Sequence, residues 1–188
     1  VLVNNLSPQS GQQIQPDDVV LLDGKPVSPL TTQTIILNKP AGYVVSRNGQ
    51  GSKTIYDLLP QELHSLKPVG RLDKDSSGLL ILTNDGELAN QLTHPRYEKE
   101  KHYLVELHQA LQPAHKQAIE RGVRLEDGIS ALRLLGSGKK WEVTMSEGRN
   151  RQIRRTFAVL GYRVTKLHRT RFGTYHLGDL KSSAFTII

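Results

Sequence analysis

The apolar run Leu79–Leu82, the longest dense one in the chain, constrains the fold more than any other feature of the sequence. Turn-forming residues bound it on both sides, at Ser76–Gly78 and at Asn84–Gly86. An uninterrupted apolar run between turns predicts a strand covered on both faces, because a strand open to water on one face alternates between apolar and polar residues. Such a strand must lie inside a sheet that has other layers packed against it.

Elsewhere in the chain, strand patterns outnumber helix patterns. We predict strands in residues 35–46 (two strands joined at Pro40-Ala41-Gly42), 101–108, 129–136, 139–148, 163–175 and 183–188. We predict helices in residues 54–60, 87–94, 113–122 and 150–162, each ending near a proline or a glycine. Few strand–helix–strand alternations occur, so the predicted class is α+β with a largely antiparallel sheet.

Residues 1–30 have a different character from the rest of the chain. They contain short β-like pieces, with Asp23-Gly24 as a hairpin turn between Val-Val-Leu-Leu and Lys-Pro-Val. This segment is too short to form a core alone. The prolines and hydroxyl residues from Pro26 to Thr32 predict a linker. Because the chain begins at Val1, we expect that its natural N-terminal part is missing.

Positive charge is concentrated in one part of the sequence. The whole chain carries a net charge of +7, whereas residues 139–171 alone carry +8. Such a concentration indicates a polyanionic partner, although a solvated basic surface would have the same composition. The sequence contains no cysteine, which excludes disulfides and thiolate metal sites and is typical of a reducing cytosol. No segment approaches the ~20 apolar residues needed to span a bilayer.

The candidate chemistry lies in the loop Gly70–Gly78, which leads into the apolar run. The loop contains the two carboxylates of Asp73 and Asp75, and a rigid buried strand is a suitable support for catalytic groups. Ordinary turn capping is one alternative. Calcium binding is another, because Asp-x-Asp-x-Ser-Gly resembles half of a calcium loop. Its twelfth position should be a bidentate glutamate, but it is Asn84 here.

Four segments in this order resemble the motifs of the pseudouridine synthases, in the bacterial ribosomal RNA branch called the RsuA family. They are LNKPAGYVVS, GRLDKDSSGLLILTNDGELANQLTHP, KHYLVEL and EGRNRQIRRTFAVLGYRVTKLHRTRFG. The resemblance implies the pseudouridine synthase fold, with a mixed, largely antiparallel central sheet flanked by helices and an active-site cleft on one sheet face. It also implies that residues 1–30 are the back half of an S4-like RNA-binding domain plus a linker, and that residues 31–188 form the catalytic domain.

The family assigns roles to five side chains at matching positions. The resemblance makes Asp73 the catalytic carboxylate, acting on a flipped-out uridine either as a nucleophile at the sugar or as a base at its 2′ carbon. Arg154 would be its cationic partner, and Tyr103 would stack on the base and assist proton removal from its carbon. Arg71 would fill the gap that the extruded base leaves, and Leu167 would form an apolar wall. The reaction requires no cofactor, and we identify no metal-ligand spacing among the histidines.

Helical geometry allows the role of Arg154. A helix with its buried face at Ile153 and Phe157 places Arg154 on the flank, beside the core, and directs Arg151 and Arg155 towards solvent or phosphate. A snorkelling surface arginine has the same spacing. Likewise, Tyr103 on an alternating strand could be an ordinary core residue.

Several basic residues are candidates for phosphate contacts, which would make RNA affinity sensitive to salt. They are Lys139, Lys140, Arg149, Arg151, Arg155, Arg169 and Arg171.

The expected function is the isomerisation of one uridine in ribosomal RNA by a cytoplasmic monomer that needs neither a membrane nor an obligate protein partner. The segment GRNRQIRR resembles the large-subunit members of the family slightly more than the small-subunit member, which favours large-subunit RNA. The alternative is a non-catalytic RNA-binding ribosome assembly factor, which would have no need of Asp73, Tyr103 and Arg154 together.

Overall fold

The computed structural model describes residues 1–27 and 31–188. It divides into two compact units, Val1–Thr32 and Gln33–Ile188. The predicted linker falls partly on residues 28–30, which lie outside the described residues. Within the described residues, no helix is both long enough and apolar enough to cross a membrane.

The first unit is built on a small antiparallel sheet. Its strands are β1 (Leu2–Val3), β2 (Val20–Leu22) and β3 (Lys25–Val27), in the order β1-β2-β3. Asp23 and Gly24 connect β2 to β3 with φ angles of 50° and 75°. Two positive φ angles are typical of the type I′ hairpin turn, which matches the twist of paired strands. The hairpin predicted at Asp23-Gly24 is therefore confirmed.

The second unit contains the main sheet and three α-helices within the described residues. The strands are β4 (Thr34–Lys39), β5 (Lys67–Pro68), β6 (Ser77–Thr83), β7 (Lys101–Leu107), β8 (Val123–Leu125), β9 (Gly128–Ser130), β10 (Arg133–Ser137), β11 (Lys140–Met145), β12 (Val164–Phe172), β13 (Tyr175–His176) and β14 (Phe185–Ile187). The helices are α1 (Gly86–Thr93), α2 (Pro113–Arg121) and α3 (Gln152–Val159).

The main sheet has the order β10-β11-β7-β12-β6-β4-β14, with β13 beside β12 and β5 beside β6. The β12–β6 pair is parallel, and the other pairs are antiparallel. Strands β8 and β9 form a separate hairpin. The predicted α+β class with a mixed, largely antiparallel sheet is confirmed.

Strand β6 is covered on both faces, as its sequence predicts. Leu80 and Leu82 pack into the larger core cluster, together with Ile153 and Phe157 of α3. Leu79 and Ile81 point to the other face, into a smaller cluster that contains Leu92 of α1. Since consecutive side chains of a strand point in opposite directions, two helical layers enclose β6 between them.

The predicted strand after Pro40-Ala41-Gly42 was wrong. Residues 43–46 contribute only an isolated bridge, Val44 to Thr54, within the described part of the chain. The backbone of this region bonds elsewhere: Val44 N–H donates to the carbonyl of Lys53 at 2.9 Å, and the preceding Gly42 N–H donates to that of Lys74 at 2.6 Å. The backbone is satisfied without a sheet ladder, so alternation alone does not make this segment a strand.

Helix α3 is shorter than the predicted span 150–162. It begins at Gln152 because Arg151 has a left-handed φ of 46°, and it ends at Val159, shortly before Gly161 with φ 82°. Helices α1 and α2 follow their predictions. Asp85 caps α1 by accepting hydrogen bonds from the N–H groups of Glu87 and Leu88, and Pro113 occupies the first turn of α2.

Candidate active site

The loop Gly70–Ser76 is fixed where it joins β6. Gly78 has a φ of 105°, and a Cβ there would overlap the backbone carbonyl of Arg169 on β12. Only glycine allows β6 and β12 to approach this closely, so the loop is joined rigidly to the sheet at its C-terminal end. Within the loop, Ser76 N–H donates to the carbonyl of Asp73 at 3.1 Å, which closes a turn around the second carboxylate, Asp75.

Lys39, at the end of β4, binds the same loop through hydrogen bonds from its ammonium group. Its side chain is 0% exposed. Its ammonium donates to the carbonyls of Asp73 at 3.1 Å, Ser76 at 2.7 Å and Pro40 at 2.9 Å. Burial lowers the pKa of Lys39 to about 8, although the negative charges of Asp73 and Asp75 act in the opposite direction. We did not predict this residue. The sequence does contain a signal that could have indicated it, namely a lysine at the end of an apolar strand and immediately before a proline.

Asp73 faces two arginines across the loop. Its Oδ2 lies 3.4 Å from Nη1 of Arg151 and 3.9 Å from Nε of Arg154. The Asp73 side chain is 27% exposed and that of Arg154 only 11%. The predicted partner Arg154 therefore lies beside Asp73, and the closer cation is Arg151. The Arg151 side chain is 45% exposed, which agrees with the expectation that it is directed away from the core, but its contact with Asp73 was not predicted.

Arg154 is held by the backbone on two sides. It donates through Nη1 to the carbonyl of Val164 at 3.0 Å, and through Nη2 to the carbonyl of Asp75 at 3.0 Å and to Ser76 Oγ at 3.3 Å. Its buried Nε has no hydrogen-bond partner among the described residues. This N–H lies on the side of the guanidinium that faces Asp73. Burial lowers the pKa of Arg154 despite the nearby carboxylates.

Asp75 links the two arginines. Its carboxylate accepts from Arg151 at 3.1 and 3.3 Å and lies 3.3 Å from Nη2 of Arg154. Burial alone would raise the pKa of Asp75, but the hydrogen bond from Arg151 and the charges of Arg154 and Arg151 lower it overall. The hydrogen bond to Asp75 in turn raises the pKa of Arg151. The two carboxylates and two guanidinium groups form one compensated network.

This network opens onto a cleft of about 850 Å³. Seven of the predicted site residues line this cleft: Asp73, Tyr103, Arg71, Leu167, Arg149, Arg151 and Arg169. Arg154 is not in the lining, but it lies beside Asp73. Tyr103 and Leu167 are buried members of the larger core cluster, so they are core residues whose surfaces also form the cleft wall.

Four predicted phosphate contacts do not line the cleft. Lys140 borders a separate depression beside Leu104 and Trp141, and Lys139 lies at the turn that precedes β11. Arg171 donates from Nε to the carbonyl of Gly173 at 2.8 Å. Arg155 pairs with Asp127 at 2.6 Å.

Two cations, the buried Arg169 and the half-buried Lys101, lie near the aromatic ring of Phe172 in the cleft. Arg169 is only 2% exposed and donates from Nε to the carbonyl of Leu79 at 2.8 Å. The Arg169 guanidinium carbon and the Lys101 ammonium each lie 5.0 Å from the centroid of the Phe172 ring. Burial, and secondarily the charge of Arg169, lowers the pKa of Lys101 to about 8. We did not predict Lys101. Its position two residues before Tyr103 on one strand was the available signal, because alternate residues share a face.

Arg149 is occupied by protein groups. It donates from Nη1 to the Asp127 carboxylate at 2.9 Å, and from Nη2 to the carbonyl of Ile129 at 2.7 Å and to Glu147 at 3.1 Å. With Arg155 of α3 on the other oxygen of Asp127, the turn between β8 and β9 is bound both to α3 and to the segment that precedes it. Within the described residues, no group of three or more His, Asp or Glu side chains has a geometry that could hold a metal ion.

Fold and cleft together define an α+β domain whose cleft carries a carboxylate beside two guanidinium groups. The family described as RNA pseudouridylate synthase matches residues 33–159. The chain belongs to this family, and it is an RNA pseudouridine synthase.

The relatives agree with this assignment. An RNA pseudouridine synthase of Aquifex aeolicus is 40% identical over 179 residues, which cover 90% of this chain and 72% of the relative. Ribosomal large subunit pseudouridine synthase B of Bacillus subtilis is 36% identical, with 90% and 73% covered. A solved crystal structure of a pseudouridylate synthase superimposes with a TM-score of 0.79 at 30% identity, covering all of this chain and 84% of the other. The resemblance to the RsuA family is confirmed.

Proposed function

We propose that this enzyme converts one uridine of large-subunit ribosomal RNA to pseudouridine, with Asp73 as the catalytic carboxylate. One observation carries the proposal: Asp73 lies on the wall of the cleft with two guanidinium groups within 3.9 Å of its Oδ2. The named substrate of the Bacillus subtilis relative supports the choice of subunit. Access to the sugar bond requires that the uridine leave the RNA stack and enter the cleft.

The reaction sets the demands on these side chains. The bond from ribose C1′ to N1 of uracil breaks, the base turns, and C1′ rejoins the base through C5. The hydrogen on C5 leaves as a proton while N1 gains one, so the product is an isomer of the substrate and no electron acceptor is consumed. The enzyme must therefore supply a carboxylate, a means of holding the detached base and a proton acceptor near C5.

Each demand has a candidate on the cleft wall. Asp73 acts either as a nucleophile at C1′ or as a base at C2′. Arg154 and Arg151 compensate its negative charge in a partly buried site. Tyr103 offers a ring face to the base and a hydroxyl for proton transfer. Leu167 closes the apolar side, and Arg71 fills the space in the RNA that the uridine vacates.

We further propose roles for the two parts of the chain. Residues 1–30 would be the back half of an S4-like RNA-binding domain with its linker, and residues 31–188 the catalytic domain. Lys139, Lys140 and Arg171 lie outside the cleft lining and remain candidates for contacts with more distant phosphates. The enzyme would work in the cytoplasm as a monomer, without an obligate protein partner.

The test is a comparison of Asp73→Asn with wild type on transcribed rRNA fragments of both subunits. Tritium release from C5-labelled uridine measures turnover, and filter binding measures affinity. Asp73→Asn should abolish release and change affinity little, and the large-subunit fragment should be the reactive one. The matched control is Asp179→Asn, at an exposed position, which should behave as wild type. Substantial turnover by Asp73→Asn would assign catalysis to another residue, and reaction only on small-subunit RNA would refute the substrate assignment.

A further inference from the structure

The hairpin of β8 and β9 carries an unusual side chain at the edge of the cleft. Val123 and Leu125 of β8 are buried in the core, whereas Ile129 of β9 is 69% exposed. Among the cleft-lining residues in the described part of the chain, Ile129 is the large apolar one that is mostly exposed. Ile129 is not among the buried core residues, and its place in the cleft lining makes its side chain accessible to whatever enters the cleft.

Residues on either side of Ile129 in the hairpin are bound to helix α3, which carries Arg154, and to the segment just before that helix. Asp127 is gripped by Arg149 at 2.9 Å and Arg155 at 2.6 Å. On the other side, the fully buried Ser130 accepts from the amide of Gln152 at 3.0 Å and from the hydroxyl of Thr156 at 2.8 Å. The carbonyl of Ile129 itself accepts from Arg149 at 2.7 Å. The backbone beneath this side chain is therefore held rigidly, while the side chain projects into solvent.

The surroundings favour RNA as the contact. The cleft that Ile129 borders is also lined by the exposed Arg71 and by Lys99, whose charges suit a phosphate backbone. A nucleotide that enters the cleft has to leave its stack, which exposes the face of the adjacent base. An apolar side chain on a rigid support can cover that face, as apolar wedges do when they separate base steps in other nucleic-acid complexes.

We propose that Ile129 is an apolar wedge that packs against the base next to the target uridine and stabilises the extruded state. This inference rests on the proposed function, because it requires an RNA substrate whose uridine enters the cleft. Arg71 lies in the loop before β6, whereas Ile129 lies on the separate hairpin of β8 and β9. The two residues thus line the cleft from different elements of the fold, and Ile129 acts on a neighbouring base rather than in the gap assigned to Arg71.

The experiment compares Ile129→Ala, Ile129→Leu and wild type on two RNAs. One RNA holds the target uridine in its stacked context, and in the other the adjacent nucleotides are abasic, so that no base has to be unstacked. Ile129→Ala should lose about tenfold in kcat/KM on the stacked RNA, because the contact of an isoleucine-sized side chain is worth that order. It should lose less than about twofold on the abasic RNA, and Ile129→Leu should retain most of the activity on both.

Leu135→Ala is the control, because Leu135 is 71% exposed and lies outside the cleft lining. It should leave both RNAs unaffected. A second readout is 2-aminopurine beside the uridine, whose fluorescence should rise less with Ile129→Ala than with wild type. If Ile129→Ala loses the same fraction of kcat/KM on both RNAs, or loses none on either, the wedge is overturned. Turnover by the wild-type enzyme in the same experiment would still support the proposed function. Absence of wild-type turnover on both RNAs would overturn the proposed function and the wedge together.

Discussion

Replacement of Lys39 by methionine tests whether a buried lysine holds the catalytic loop in place. Methionine has a similar length and shape, so the substitution removes the charge and the donors without opening a large cavity. Three backbone carbonyls lose their hydrogen-bond donor. The hydrogen bond to the carbonyl of Ser76 is buried, whereas the hydrogen bonds to the carbonyls of Pro40 and Asp73 are partly accessible to water. The variant therefore separates hydrogen bonding from simple space filling.

The magnitude follows from these three bonds. A buried carbonyl without a donor costs about 2 kcal/mol, and each carbonyl that water can reach costs about 0.5 kcal/mol, which together give roughly 3 kcal/mol. An apolar side chain avoids the cost of burying a charge, so the expected net loss of unfolding free energy is about 2 kcal/mol. Turnover should fall about a hundredfold, because a displacement of Asp73 of the order of 1 Å is enough for such an effect.

Urea titration followed by tryptophan fluorescence measures the stability. The chain contains a single tryptophan, Trp141, which is buried in the core of the second unit. Turnover is then measured in the absence of urea, where the variant remains folded. Lys74→Met is the matched control: its ammonium makes one exposed hydrogen bond, to Ser52 at 3.0 Å, and it should change neither quantity. A stability within about 0.5 kcal/mol of wild type together with unchanged turnover would refute the role of Lys39.

Two further predictions concern the cations of the site. Arg154→Ala should lower turnover at least about a hundredfold and RNA affinity less than about threefold, because its guanidinium faces Asp73 rather than solvent; a loss confined to filter-binding affinity would make Arg154 a phosphate contact. The pKa of Lys101 is lowered from 10.5 to about 8, so between these values the unfolded chain binds more protons at this residue than the folded chain does. The contribution of Lys101 to unfolding free energy therefore rises from pH 8 to pH 10. Urea titrations should show a steeper rise for wild type than for Lys101→Met, and equal slopes would contradict the burial of a charge there.

Local patterns were sufficient for most of the secondary structure. The apolar run Leu79–Leu82 predicted a strand covered on both faces, and the structure places it between two core clusters. The pattern failed in residues 43–46, where the composition suits a strand but the backbone of Val44 bonds to Lys53 and Ile55. Strand formation depends on a partner with free backbone groups, and that partner is distant in the sequence.

The candidate site shows the same division. Asp73, Arg154 and Tyr103 were predicted from motifs, and the structure brings Asp73 and Arg154 within 3.9 Å of each other. Three features were not predicted: the hydrogen bonds from Lys39 to the loop, the cation Lys101 beside Phe172, and the two ion pairs of Asp127 with Arg149 and Arg155. Each depends on long-range contacts, such as that between Lys39 and Asp73, which lie 34 positions apart in the sequence. The local pattern marks such residues as unusual but does not identify their partners.

The sequence by itself determined the class of the fold, the order of most elements and the loop that carries the carboxylate, because hydrophobic periodicity, turn residues and motif spacing are local properties. Only the tertiary structure decided what surrounds that loop. Arg149 and Arg155 illustrate this. Their positive charge in a basic segment indicates phosphate binding, yet the fold places the carboxylate of Asp127 beside both of them. A charge acts on whatever group lies within a few ångströms, and chain folding, not sequence distance, sets that neighbour.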